Sequence, residues 1–124
     1  MVVKRPKYLN LLRIKLPLPG VVSFFHRVSG ALLFAAVPLF LAVLNQTLVS
    51  KASFETVRQG FAHPLVKLLL VWLLWSFLHH FFAGLRFLAM DLELGLDLDK
   101  TRRNSRLVLI FSLGLTGAIG GWLW

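Results

Sequence analysis

The chain has 124 residues, of which 57% are hydrophobic and 15% charged, with 14 Lys or Arg against 5 Asp or Glu and no Cys. A soluble domain usually carries about 25% charged residues, so this composition argues against an ordinary globular enzyme. The absence of Cys excludes disulfides and any iron–sulfur or zinc site ligated by cysteines of this chain.

Three stretches of the chain contain no charged residue, at 28–50, 68–85 and 107–124. Each has about 18 residues or more, enough to cross a hydrocarbon core about 30 Å thick. We therefore predict an all-α membrane protein, a single membrane-anchor domain over residues 1–124 with three transmembrane helices. The predicted spans are about 22–50, 64–90 and 105–124. The rest of the chain is too short for a separate soluble catalytic domain, which needs about 50 residues or more.

The basic residues indicate how the chain is oriented. Before the first span the sequence has no acid and six basic residues, namely Lys4, Arg5, Lys7, Arg13, Lys15 and Arg27. Between the second and third spans lie Arg86, Lys100, Arg102, Arg103 and Arg106. The positive-inside rule predicts a cytoplasmic N-terminus and an outer C-terminus. We therefore interpret the formal charge of +9 as a consequence of the orientation of the chain in a lipid bilayer. We expect no nucleic-acid partner.

The segments outside the spans carry few motifs. The proline-punctuated residues 1–20 are predicted to form a cytoplasmic segment at the membrane surface, and the loop at 51–63 has an ordinary polar composition. Residues 91–99 alternate acid and Leu, a pattern that permits a short strand or a loop whose Leu side chains touch lipid or a partner. The third span contains small residues that allow close helix contact, at Gly114, Gly117, Gly120 and Gly121.

His80 is the sharpest candidate for chemistry inside the spans. Ionisable residues in lipid are expensive and merit a functional hypothesis, and a neutral imidazole on an apolar helix can ligate a haem iron. Gly84 lies one turn further on the same face and would leave room for a flat ring, and Phe87 continues that face. The alternative is that His79 or His80 only forms a hydrogen bond to another helix.

A second axial ligand is harder to find in this chain. His79 and His80 point about 100° apart and cannot ligate the same iron. We expect His26 at the inner edge of the first span, whereas His80 lies six residues, or about 9 Å, deeper than the inner-edge residue Arg86. Since the two axial ligands of one haem lie at similar depth, we expect the second ligand to come from another chain.

A small cationic patch is predicted at the inner end of the first span. Ser23 and Arg27 share a helix face, and His26 is offset by one residue. The patch could hold haem propionates or donate hydrogen bonds to a quinone carbonyl. The alternative is that Arg27 only reaches lipid phosphates. No Asp or Glu lies in a span, which argues against a proton-coupled transporter.

Several motifs together resemble the cytochrome b membrane-anchor subunit of succinate dehydrogenase, respiratory complex II. They are Arg5-Pro6 with Leu9-Asn10-Leu11, S-x-x-H-R-x-S-G at 23–30, and H-x-x-x-G-x-R at 80–86 followed by Asp91. The similarity spans nearly the whole chain and includes its length and three-helix layout.

The resemblance implies cofactors and partners. His80 would be one axial ligand of a haem b, with the other histidine supplied by a second small three-helix anchor subunit. Positions matching Ser23 and Arg27 border the ubiquinone site, and those matching His26 and Arg27 lie near the haem propionates. The two anchors would dock an iron–sulfur subunit and a flavoprotein subunit on the inner side. Electrons from succinate would then pass to ubiquinone at the subunit interface.

The resemblance also assigns supporting positions, and one residue departs from its pattern. Gly84, Arg86 and Asp91 match supporting positions, whereas Phe87 stands where some relatives have His.

The expected location is a bacterial inner membrane, because the similar region begins at Arg5 and leaves no room for a transit peptide. The competing function is a small non-redox membrane protein, such as an assembly factor or transporter, whose histidines only bridge helices.

Overall fold

A computed structural model of the chain describes residue 10 and residues 14–124, so most of the predicted surface segment 1–20 lies outside the described residues. The described part contains no strand and has four helices, α1 (Leu18–Val49), α2 (Lys51–Phe61), α3 (Pro64–Asp91) and α4 (Leu98–Leu123). Of these helices, α1, α3 and α4 are long and apolar enough to cross a membrane. The all-α fold with three candidate spans is therefore confirmed.

The first span begins earlier than expected. α1 starts at Leu18, and Pro19 falls within its first turn, where the missing N–H of proline costs no hydrogen bond. His26 consequently lies eight residues into the helix, about 12 Å from its start. The Pro19-Gly20 pair does not delay the helix, so His26 lies further along α1 than the predicted start near residue 22 implied.

The first loop contains a helix that the sequence analysis missed. The hydroxyl of Ser50 accepts a hydrogen bond of 3.0 Å from the backbone N–H of Ser53, which caps the start of α2. The hydroxyl of Ser53 donates in turn to the carbonyl of Gln46, at 2.6 Å, and ties the cap to the end of α1. Arg58 forms an exposed ion pair with Glu55 one turn away, at 2.6 Å.

The alternating acidic segment forms a turn and not a strand. α3 continues to Asp91, and α4 begins at Leu98, so only a tight connection is left between two neighbouring helices. Glu93 (φ 60°) and Gly95 (φ 74°) adopt the left-handed conformation that such a reversal uses. Thr101 donates a 2.9 Å hydrogen bond to the carbonyl of Gly95 and holds the turn on α4.

The three spans pack closely through small residues. Val22, Ala83 and Val108 form the centre of the bundle, one from each span. Four buried serines, at Ser29, Ser76, Ser105 and Ser112, donate their hydroxyl hydrogen bonds within their own helices. Of the four glycines expected to mediate close contact on α4, Gly120 packs against Val71, whereas added Cβ atoms at the other three would meet nothing within 4 Å.

Candidate functional site at the α1–α3 contact

The imidazole of His80 is held against α1 through one of its two nitrogens. Its Nδ1 lies 3.0 Å from the backbone carbonyl of His26 and 3.3 Å from the hydroxyl of Ser29. Because a carbonyl can only accept, Nδ1 must carry a proton, and in the neutral imidazole Nε2 then carries the lone pair. This is the arrangement by which proteins usually orient a histidine that ligates a metal through Nε2.

The ring of His26 stacks on the ring of His80. The two ring centroids lie 4.2 Å apart, and the planes are 8° from parallel. The two histidines therefore lie at similar depth, so depth does not exclude His26 as a second ligand. Two histidines that held one iron would have to approach it from opposite sides, whereas these rings lie face to face in direct contact.

Two glycines make room for the histidine pair. A Cβ atom at Gly30 would lie 2.9 Å from Cε1 of His80, closer than any ordinary carbon contact. A Cβ atom at Gly84 would lie 3.7 Å from Nε2 of His26, which is an ordinary contact. The space beside Gly84, expected to receive a flat cofactor ring, is thus bordered by the His26 ring, and Gly30 is the glycine on which the His80 position depends.

His79 has a different environment from its neighbour. Its side chain is fully buried, and its Nε2 lies 3.4 Å from the carbonyl of Val22 on α1. The rings of Phe25 and Trp75 flank it, with centroids 6.1 and 5.3 Å away. His79 therefore links α1 to α3, which is the structural role that the sequence analysis left open for one of the two histidines.

The remaining predicted residues are distributed more widely. Ser23 is half-buried and Arg27 is exposed on α1, and neither has a hydrogen-bond or ion-pair partner among the described residues. Arg86 is buried, with 7% of its surface exposed, whereas Asp91 is exposed at the end of α3. The structure thus brings His26, His80 and Gly84 together but forms no ion pair between Arg86 and Asp91.

Ser29 and Gly30 belong to the site although the sequence analysis assigned them only to helix packing. Ser29 is buried and contacts both histidines, since its hydroxyl donates to the His26 carbonyl at 2.9 Å. Its spacing of three residues from His26 placed it on the same face of α1. The contact with His80 depends on how α1 crosses α3, which residue spacing does not give.

Residues 1–119 match the family described as succinate dehydrogenase/fumarate reductase transmembrane subunit. The chain is 34% identical over 125 residues to the succinate dehydrogenase cytochrome b556 subunit of Coxiella burnetii, covering 100% of both chains. It is 27% identical over 111 residues to the subunit of the same name from Paracoccus denitrificans, covering 90% of this chain and 85% of that protein. With its three candidate spans and its histidine contact between α1 and α3, the chain belongs to the succinate dehydrogenase/fumarate reductase transmembrane subunit family.

Proposed function

We propose that this chain is the haem b-binding membrane anchor of a succinate:quinone oxidoreductase and that His80 supplies one axial ligand of the haem. The observation that carries the proposal is the 3.0 Å hydrogen bond from Nδ1 of His80 to the His26 carbonyl. This bond leaves the Nε2 lone pair free to bind iron. The names of the two cytochrome b556 relatives support the same cofactor.

The residues around His80 fit a haem shared between two subunits. His80 offers one imidazole nitrogen, and the stacked His26 cannot ligate the same iron from the opposite side. A second anchor subunit would therefore contribute the other histidine. When bound, the haem supplies a one-electron redox centre. This chain would orient the His80 ring through the His26 carbonyl and Ser29. Gly30 would allow α1 and α3 to lie close together.

Ser23 and Arg27 are proposed to form this chain's share of the ubiquinone site. They lie one turn apart on α1, and Arg27 is exposed with no partner among the described residues. Its guanidinium is therefore available to donate hydrogen bonds to a quinone carbonyl or, with His26, to the haem propionates. The chain would not oxidise succinate itself. It would serve as a non-catalytic subunit that positions electron acceptors.

The proposed partners are a second three-helix anchor, an iron–sulfur subunit and a flavoprotein subunit. The chain has no Cys with which to hold an iron–sulfur cluster, so the electron path from succinate requires other polypeptides. The excess of basic residues before α1 and in the first turns of α4 supports a cytoplasmic position for that end of the bundle. The proposed location is the bacterial inner membrane, and both named relatives come from bacteria.

Purification of the tagged chain from its native membrane tests the proposal. We expect a b-type haem, a flavoprotein and an iron–sulfur protein to co-purify, together with succinate-dependent reduction of ubiquinone. A chain that is well folded in the membrane but carries neither haem nor these polypeptides would contradict the proposal. That result would favour the non-redox alternative, in which the histidines only bridge helices as His79 does.

A further inference from the structure

Arg86 is a buried cation that has no counter-ion among the described residues. Only 7% of its surface is exposed, and its Nε and Nη1 atoms are enclosed with no hydrogen-bond partner among the described residues. Its guanidinium carbon lies 5.3 Å from the centroid of the Phe87 ring, a weak cation–π contact. Both ion pairs of the described residues lie elsewhere, at Glu55–Arg58 and Asp97–Lys100. An unpaired buried charge is energetically costly, so an anion from outside the chain would stabilise Arg86 in this position.

The depth of Arg86 indicates where that anion would lie. α3 has 28 residues and is about 42 Å long, so it extends about 6 Å beyond a 30 Å hydrocarbon core at each end. Arg86 lies five residues before the end of the helix, or about 7.5 Å along its axis. The guanidinium is thus near the boundary between hydrocarbon and headgroups, the level at which lipid phosphates and glycerol esters begin.

A groove between α3 and α4 adjoins Arg86. Its volume is about 230 Å³, and it is lined by Arg86 and Asn104 together with apolar side chains that include Phe82, Leu107 and Phe111. None of its lining residues comes from α1. The groove is therefore distinct from the contact of His26 with His80 and from the patch of Ser23 and Arg27.

The surroundings of the groove favour an anion. The first turns of α4 carry four exposed cations, at Lys100, Arg102, Arg103 and Arg106. Lys100 is paired with Asp97, at 2.7 Å, and the three arginines have no ion-pair partner within the described part of the chain. The polar end of the groove is thus electropositive, whereas the rest of its lining is hydrophobic.

We propose that the α3–α4 groove binds a phospholipid of the adjacent leaflet, with its phosphate on Arg86 and Asn104 and an acyl chain along Phe82, Leu107 and Phe111. A guanidinium forms strong charge-assisted hydrogen bonds to phosphate, and the amide of Asn104 supplies a neutral donor. The apolar lining distinguishes a lipid from a free phosphate, because only a lipid brings a chain to fill it. An anionic headgroup is favoured over a zwitterionic one by the neighbouring arginines.

Native mass spectrometry of the chain, purified in detergent with the polypeptides that accompany it, tests the proposal. The probes are dioleoylphosphatidylglycerol, dioleoylphosphatidylcholine and soluble glycerol 1-phosphate. We expect phosphatidylglycerol to bind best, and Arg86→Gln to weaken it about tenfold or more through loss of a charge-assisted hydrogen bond. Asn104→Asp, which places a negative charge in the groove, should also weaken binding. If Arg86→Gln does not fold, the lipid binding of Asn104→Asp provides the test instead. Arg103→Gln, which removes one exposed charge of α4 that does not line the groove, is the matched control and should weaken binding far less than Arg86→Gln does.

Several outcomes would overturn the proposal. Equal lipid binding by the unaltered chain and by Arg86→Gln would overturn it. So would a loss of lipid binding in Arg103→Gln as large as that in Arg86→Gln, because it would indicate attraction by surface charge alone. Full competition by glycerol 1-phosphate at the same concentration would identify a free-phosphate site. Loss of an accompanying polypeptide from Arg86→Gln, with lipid binding unchanged, would show that the counter-ion is a carboxylate of a partner protein.

Discussion

Gly30→Ala is expected to disturb the proposed haem ligand directly. The added Cβ would lie 2.9 Å from Cε1 of His80, whereas carbon atoms prefer separations of about 3.5–4.0 Å. The ring must therefore move by about 0.6 Å or more. A shift of that size along the 3.0 Å bond to the His26 carbonyl would lengthen it to about 3.6 Å, which is beyond hydrogen-bonding distance. Overpacking of this kind costs about 1–3 kcal/mol.

The assay for Gly30→Ala is the haem content and the reduced-minus-oxidised spectrum of the purified complex. Since each 1.4 kcal/mol is a factor of ten in binding, we expect haem affinity to fall by about tenfold, with a shifted or diminished b-type band. Gly84→Ala adds the same methyl group beside the other histidine, 3.7 Å from Nε2 of His26, and should leave the band nearly unchanged. If Gly30→Ala left the b-type band unchanged and Gly84→Ala diminished it, the described positions of the two rings would be refuted.

Four further substitutions test other parts of the structure. Gly95→Ala, at a φ of 74°, should lower the free energy of unfolding by about 1–3 kcal/mol, and an unaltered melting temperature in detergent would contradict that expectation. His79→Leu removes the hydrogen bond to α1 at a cost of about 1 kcal/mol but should keep the b-type band, and loss of the band would mean that the roles of His79 and His80 are misassigned. Ser23→Ala and Arg27→Leu should lower quinone reduction while succinate oxidation by an artificial acceptor persists. Parallel loss of both activities would indicate a role in assembly.

The three spans were predictable because they depend on a property of the sequence itself. A charge-free run of about 18 residues is long enough to cross a bilayer, whatever its neighbours do. α2 was missed because it has no such run. Its start depends on local capping by Ser50, and a single serine at a helix boundary is a weak indication when the surrounding composition is ordinary.

The site was only partly predictable because its geometry depends on how two helices cross. Spacing placed Gly84 on the face of His80, but the structure sets Gly84 beside His26 and Gly30 beside His80. The depth of His26 depended on the start of α1 at Leu18, which the Pro19-Gly20 pair obscured. Sequence reasoning identified the histidines as the groups of interest, whereas the contacts that orient them required the three-dimensional arrangement.

The most direct test of the account is the reduced-minus-oxidised spectrum of His80→Ala, compared with His26→Ala in the same assembled complex. We expect His80→Ala to lose the b-type haem band, because the proposed axial nitrogen is gone. His26→Ala should retain the band, since it keeps the backbone carbonyl that binds Nδ1 of His80. An unchanged band in His80→Ala, with the complex intact, would contradict the central assignment.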